Sequence, residues 1–392
     1  MTMSTTSETT TEVSVDNEAE NPPPLVQGLT EKQDRLVHWI TNELAVLLKE
    51  VEVGRVGTGT VGADVAGKLS FPSTSIRHLE NETYIHEGRV PLSEVEDIIT
   101  LPCFDSSSSK SFDEMNMIRQ SFELPQQVLS ELHLYVHALA CMYHANPFHS
   151  FEHASHVTMS VVKLLSRIVA PDINYDDEDA ASRLHEYTFG ITSDPMTQFA
   201  VVLSALIHDL DHPGVSNGQL VKESDRMARK YDNKSVAEQN SVDMAWRLLM
   251  DEDFKHLRGA IYHTETEFKR FRKLVVNTVL ATDIMDKDLG AARKERWEKA
   301  FSEDVKEDDS TAINRKATIV LEHLIQASDV AHTMQHWHIY RKWNSRLFAE
   351  MYKVSLIWHG WPRRCKEKNP QISNCAVMRP FYYSIGIFGR TI

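Results

Sequence analysis

Cysteine is scarce in this chain: four among 392 residues, at Cys103, Cys141, Cys365 and Cys375, with no C-x-x-C pair. That scatter excludes a disulfide framework and a zinc knuckle and fits a reducing, cytoplasmic setting. Also missing is any apolar run near the roughly 18 residues that cross a bilayer. No membrane segment is therefore expected, although the chain would read the same as the cytosolic part of a larger membrane protein. Positive charge is in deficit, 42 Lys and Arg against 56 Asp and Glu, for a formal net charge of −14. A nucleic-acid binder normally shows the opposite bias, so none is expected as partner. An anionic small molecule stays compatible, because bound cations invert the local field of an acidic protein. The Gly-rich stretch from Gly54 to Gly67 lacks a G-K-[ST] ending and reads as a linker or loop rather than a phosphate cradle.

What is present is helical patterning. Residues 1–28, MTMSTTSETTTEVSVDNEAENPPPLVQG, have no apolar signal core and read as a disordered leader. An N-terminal helix and loop region is expected over 29–109. Its helix spans Lys32 to Val51, with Leu36, Ile40, Leu44 and Leu47 at helical intervals, and its Ser run at 106–109 is a loop. From 110 to 353 the segments 124–143, 154–169, 195–208, 234–250, 267–282 and 311–353 carry i, i+3, i+4 apolar spacing, while strand-like alternation is scarce. The acidic stretch DINYDDEDA at 172–180 lacks an EF-hand frame and reads as a solvated loop. After Lys353 helical periodicity is lost, leaving an atypical tail over 354–392. The fold expected is an all-α, compact multi-helix domain.

Histidine and aspartate placement carries the chemistry. His149 and His153 lie four residues apart, a spacing that puts both on one helix face. His208 and Asp209 close the apolar run FAVVLSALI, and Asp211, His212, Pro213 and Gly214 follow and stop that helix. Asp329 lies within the apolar stretch LIQASDVA. A carboxylate buried in an apolar helix is costly unless it is paired, hydrogen-bonded or bound to a cation. One buried His or Asp alone is as well explained by structural pairing. Three such clusters together point to shared ligation of a divalent ion by His153, His208, Asp209 and Asp329.

These motifs resemble the catalytic domain of class I cyclic-nucleotide phosphodiesterases, within the HD-type metal-dependent phosphohydrolases. The family pattern H-N-x-x-H-A is met by His149-Ser150-Phe151-Glu152-His153-Ala154, and H-D-x-x-H-P-G-x-x-N by His208 through Asn217. A-x-D is met by Ala327-Ser328-Asp329, while YDNKSVAEQN at 231–240 and ATD at 281–283 match two further elements. The resemblance covers roughly 110 to 353. It implies two divalent ions, zinc on His153, His208, Asp209 and Asp329, and magnesium or manganese bridged by Asp209. It also implies His149 as general acid, with His212 and Glu238 in the catalytic apparatus and Asn217, Thr282 and Asp283 orienting waters and ligands. Glu238 is expected either to hold the water network or to keep His149 charged. The implied reaction is hydrolysis of the 3′,5′-cyclic phosphodiester of cyclic AMP or cyclic GMP to the 5′-monophosphate.

Three departures stand out. Ser150 replaces the usual Asn, and Lys287 or Asp288 stands near where the family often has His. No Q-x-x-F occurs from Asp329 to Ile392, and Gln371 is followed at that offset by Asn374, so no substrate-binding residue is assigned. The tail is accordingly read as a frame-shifted, mis-spliced or mis-predicted end. Two other readings remain open: a different HD-type nucleotide phosphohydrolase, and a catalytically impaired, metal-stabilised regulatory module.

Overall fold

The computed structural model describes residues 28–57, 91–102, 112–168, 180–223, 226–302 and 309–359. The expected leader, residues 58–67 of the Gly-rich stretch, the Ser run, most of the acidic stretch and the tail beyond 359 lie outside the described residues. Among the described residues there is no strand, in agreement with the all-α expectation. The helices, in chain order, are α1 (Glu31–Gly57), α2 (Phe112–Ser121), α3 (Gln126–Met142), α4 (Phe151–Leu165), α5 (Ala180–Tyr187), α6 (Pro195–Ile207) and α7 (Asn217–Lys222). They continue as α8 (Arg226–Lys230), α9 (Val236–Leu249), α10 (Lys255–Ile261), α11 (Glu265–Leu280), α12 (Lys287–Ala300), α13 (Asp309–Asp329) and α14 (Trp337–His359).

Helix α6 is the axis of the fold. Asp194 caps it by accepting from the Thr197 amide at 3.3 Å, and Pro195 occupies the first turn, where its missing N–H is no loss. From Met196 to Ile207 every residue but Gln198 is buried. A helix apolar on all sides must be surrounded, and α1, α4 and α11 pack around this one. Each fully buried Leu or Val there, such as Leu206 or Val202, contributes roughly 1.5–3 kcal/mol of burial free energy. Helix α13 packs across α4, so the C-terminal end of α13 and the N-terminal half of α4 meet beside the end of α6. Helix α11 begins in a capping box, with Thr264 and Glu267 exchanging bonds with each other's backbone.

Four boundaries differ from the sequence reading. The first helix continues through Gly54 to Gly57. The long segment 311–353 is two helices, separated by a 3-10 turn over Ala331–Met334. The polar segment Lys287–Ala300, which lacks an apolar stripe, is a helix capped by Asp286, whose carboxylate accepts from the amides of Asp288 and Leu289. Finally, α14 runs six residues beyond Lys353, to His359.

Candidate active site

The site forms where α6 ends. Its final turn delivers His208 and Asp209, and Asp211 (φ 59°) and Gly214 (φ 77°) then reverse the chain. A Cβ at Gly214 would come to 3.2 Å from the Asn146 side chain, so closeness as well as backbone sign favours glycine there. Asn146 in turn donates to the His212 carbonyl at 2.7 Å.

His208 Nδ1 lies 3.0 Å from the Ala205 carbonyl. A carbonyl only accepts, so Nδ1 carries the proton and Nε2 is aimed at the carboxylates. Nε2 sits 3.1 Å from Asp209 Oδ2 and 3.5 Å from Asp329 Oδ1. His153, on the otherwise apolar face of α4, brings its Nε2 to 3.0 Å from Asp329 Oδ1 and 3.6 Å from Asp209 Oδ2. His208 Nε2 and Asp209 Oδ2 are nonetheless both buried without an aligned hydrogen bond. The ligand atoms of His153, His208 and Asp329 lie within 4.8 Å of one another. Two buried lone-pair donors without partners, in an N/O donor set of this size, fit a divalent cation.

The electrostatics agree. Burial works against charge on His208, yet the Asp209 and Asp329 carboxylates outweigh it and hold the imidazole well above its usual range. Burial likewise opposes ionisation of Asp329, but the hydrogen bond from His153 and the nearby His208 imidazole hold its carboxyl below the usual range. Asp209 is held well below it by the charges of His208 and His149, again against burial. The pocket therefore favours positive charge at its centre, whether a proton or a metal ion.

His149 stands on the adjoining wall, its ring stacked on His212 at a centroid distance of 3.9 Å. Its Nδ1 bonds to a Glu350 oxygen, and Glu350 also accepts from the amides of Phe148 at 2.8 Å and His149 at 3.1 Å. Burial lowers the affinity of His149 for a proton, but Asp209, Glu350 and Asp329 together leave it raised. His212 is pushed the other way, to about 3, by burial and by the neighbouring His149 charge. The two stacked rings are thus biased in opposite directions, His149 toward its charged form and His212 toward its neutral form. His149, His212 and Glu350 also have ligand atoms within 4.8 Å of one another. Glu350 is already spent on three N–H groups, so this trio is a hydrogen-bonded cluster rather than a second cage.

Residues 148–355 match the family of 3′5′-cyclic nucleotide phosphodiesterases. The chain belongs to that family. It is 25% identical over 270 residues to a probable 3′,5′-cyclic-AMP phosphodiesterase, pde-4, of Caenorhabditis elegans, covering 66% of this chain and 35% of that protein. It is 26% identical over 234 residues to the human dual specificity calcium/calmodulin-dependent 3′,5′-cyclic nucleotide phosphodiesterase 1C, covering 59% and 28% respectively. The crystal structure of the phosphodiesterase domain of a RhoPDE fusion protein from the choanoflagellate Salpingoeca rosetta aligns at 20% identity and a TM-score of 0.47, covering 76% of this chain and 78% of that one. The chain spans about a third of the length of the curated relatives it matches.

Beside these groups, Asn217, Glu238 and Asp283, also singled out by sequence, form a second cluster. Asn217 donates to Glu238 at 2.8 Å and to Asp283 at 3.2 Å, and its carbonyl accepts from the Ala237 amide at 2.9 Å. Burial and the Asp283 carboxylate push Glu238 up to about 7. Asp283 also accepts from the amides of Met285 and Asp286, which fixes the start of the next loop. The Thr282 hydroxyl donates to the Val279 carbonyl of its own helix, at 2.7 Å. Of the two roles left open for Glu238, the bond to His149 is made by Glu350, while Glu238 is bonded to Asn217. The Ser150 hydroxyl donates to the Phe148 carbonyl, at 3.1 Å, across the turn that opens α4. Sequence reasoning also missed Trp343, which is buried against the edges of Phe148 and His153. It passed over His332, whose ring packs on Phe148. Both lie in a long helical pattern that gave no sign of which face meets the site.

Proposed function

We propose that this chain hydrolyses the 3′,5′-cyclic phosphodiester of a cyclic nucleotide to the 5′-monophosphate. The observation that carries the reading is the placement of a carboxylate-held His149 beside the His153–His208–Asp209–Asp329 cluster. His153, His208, Asp209 and Asp329 would hold a zinc ion, a suitable match for two imidazoles and two carboxylates. Asp209 would be shared with a magnesium or manganese ion, which keeps several of its waters. When bound, the two ions supply positive charge against the phosphate oxygens and acidify the attacking water.

The protein's own groups complete the reaction. An attacking water, giving up a proton to solvent, forms a bond from its oxygen to phosphorus as the bond from phosphorus to the ribose 3′-oxygen breaks. That leaving oxygen needs a proton, and His149 donates it from Nε2, since Nδ1 is committed to Glu350. Glu350 orients the ring and favours its charged form. His212, kept neutral, stacks on that ring without competing for the proton. The Asn217–Glu238–Asp283 cluster is assigned to holding the water network. Scarce cysteine and the absence, among the described residues, of a helix long and apolar enough to cross a membrane support assignment to the cytoplasm.

The test is hydrolysis by the metal-loaded chain of cyclic AMP and cyclic GMP, with a nucleoside triphosphate as control. Turnover of a cyclic nucleotide alone supports the proposal. Turnover of the triphosphate alone favours another HD-type phosphohydrolase.

A further inference from the structure

We propose that Glu152 is a positioning residue for the leaving-group acid: paired with Arg346 and Lys342, it docks α14 so that Glu350 reaches His149. This deepens the hydrolytic reading above and rests on it for the word acid, though not for the docking itself.

The argument begins with spacing. Lys342, Arg346 and Glu350 recur every four residues along α14, so they form one stripe, with Trp343 at its inner margin. That stripe faces the start of α4. Glu350, at the far end, takes the amides of Phe148 and His149 and the His149 ring. Trp343, 2% exposed, closes the near end against His153 and His156, with ring centroids 5.7 and 5.1 Å apart. Between them Arg346 reaches Glu152 Oε2 at 3.0 Å while its guanidinium lies 4.8 Å from the centre of the Trp343 ring. Lys342 approaches Glu152 Oε1 at 3.7 Å. Glu152 itself sits in the first turn of α4, where a carboxylate also complements the helix dipole.

Helix α14 follows the 3-10 turn that ends at Met334, and its first turn is exposed at Trp337. The contacts described between α14 and the start of α4 are those of this stripe. A small rotation that leaves Trp343 seated would carry Glu350, two turns further on, away from His149. Glu152 resists that rotation by gripping the middle of the stripe. It also holds Lys32 of α1 at 2.5 Å, and this third cation supplies an internal control, because it lies on a different helix.

The experiment compares Glu152→Gln, Arg346→Gln, Arg346→Lys and Lys32→Gln in the full metal-loaded chain. Hydrogen exchange at the amides of Phe148 and His149 is read together with kcat and KM on the cyclic nucleotides. Glu152→Gln and Arg346→Gln are expected to accelerate exchange at these two amides and to lower kcat about 3- to 10-fold, with KM within about twofold, as for a lost charge-assisted contact that positions a catalytic group. Arg346→Lys recovers most of both effects, and Lys32→Gln moves neither. Unchanged exchange at both amides in Glu152→Gln and Arg346→Gln overturns the proposal, as does an equal acceleration in Lys32→Gln. A wild-type chain that turns over no cyclic nucleotide defeats the hydrolytic reading, while the exchange data still decide whether Glu152 positions His149 through α14.

Discussion

The two halves of the site are built differently. The half containing His153, His208, Asp209 and Asp329 hangs from helices that cross the core: α6, buried on every side, α4, and α13 packed against it. The half containing His149 and Glu350 depends on α14, whose Trp343, Arg346 and Glu350 meet the start of α4. Core-borne ligands are fixed by packing and fail together when a ligand is removed. A stripe-borne acid fails by degrees, because a slightly displaced carboxylate still exerts part of its field.

The contrast orders the expected effects. Asp329→Ala or His208→Ala removes one of the groups that counter buried charge in the cluster. Metal content measured on the purified variant should fall well below that of wild type, and turnover should drop by about three orders of magnitude or more. Glu350→Gln comes next, with metal retained and kcat lowered about 10- to 100-fold, part of what general acid catalysis contributes. The sign of its pH effect follows from the charge balance. Glu350 helps to raise His149, and the acid acts in its protonated form, so activity is present below the His149 pKa and lost above it. Removing the carboxylate should move the alkaline limb of the kcat profile to lower pH.

Trp343→Ala should act mainly on stability. It opens a cavity where a side chain is 2% exposed, costing about 3–5 kcal/mol in denaturant unfolding. A cost below about 1 kcal/mol would mean that α14 is not seated there. The smallest effect belongs to Glu152 in acid. Burial opposes its ionisation, but Lys32 and Arg346 win and hold it at about 2, below the ordinary 4.5. A depressed carboxyl contributes stability that is fully present above 4.5 and is lost as pH falls toward about 2. Acid titration of stability in Glu152→Gln should therefore lack that component, and because the pair is partly exposed the difference should shrink with added salt.

Much of this was legible in the residues. His208 and Asp209 announce themselves because they end an apolar run that has no other reason to bury a charge, and Asp329 does the same inside LIQASD. The helices α4, α6, α9 and α11 were legible from their apolar spacing within a few residues of their bounds. The break between α13 and α14 was not, because no Pro or Gly marks residues 330–336. Helix α12 was invisible for the opposite reason, as it has little apolar stripe to see. Glu350 could not be found from sequence, since its partner lies 201 positions away and nothing local distinguishes it from a solvated glutamate. For Glu238 two roles stood open, because its match to a family element gives a neighbourhood and not a hydrogen bond, which runs to Asn217.

The most direct test is to measure bound metal and single-turnover hydrolysis of cyclic AMP and cyclic GMP side by side in wild type and His149→Ala. The expected result is equal metal content with the rate lowered about 10²- to 10⁴-fold, the share that a positioned proton donor supplies. Equal metal content with an unchanged rate would contradict the assignment of His149 as the acid.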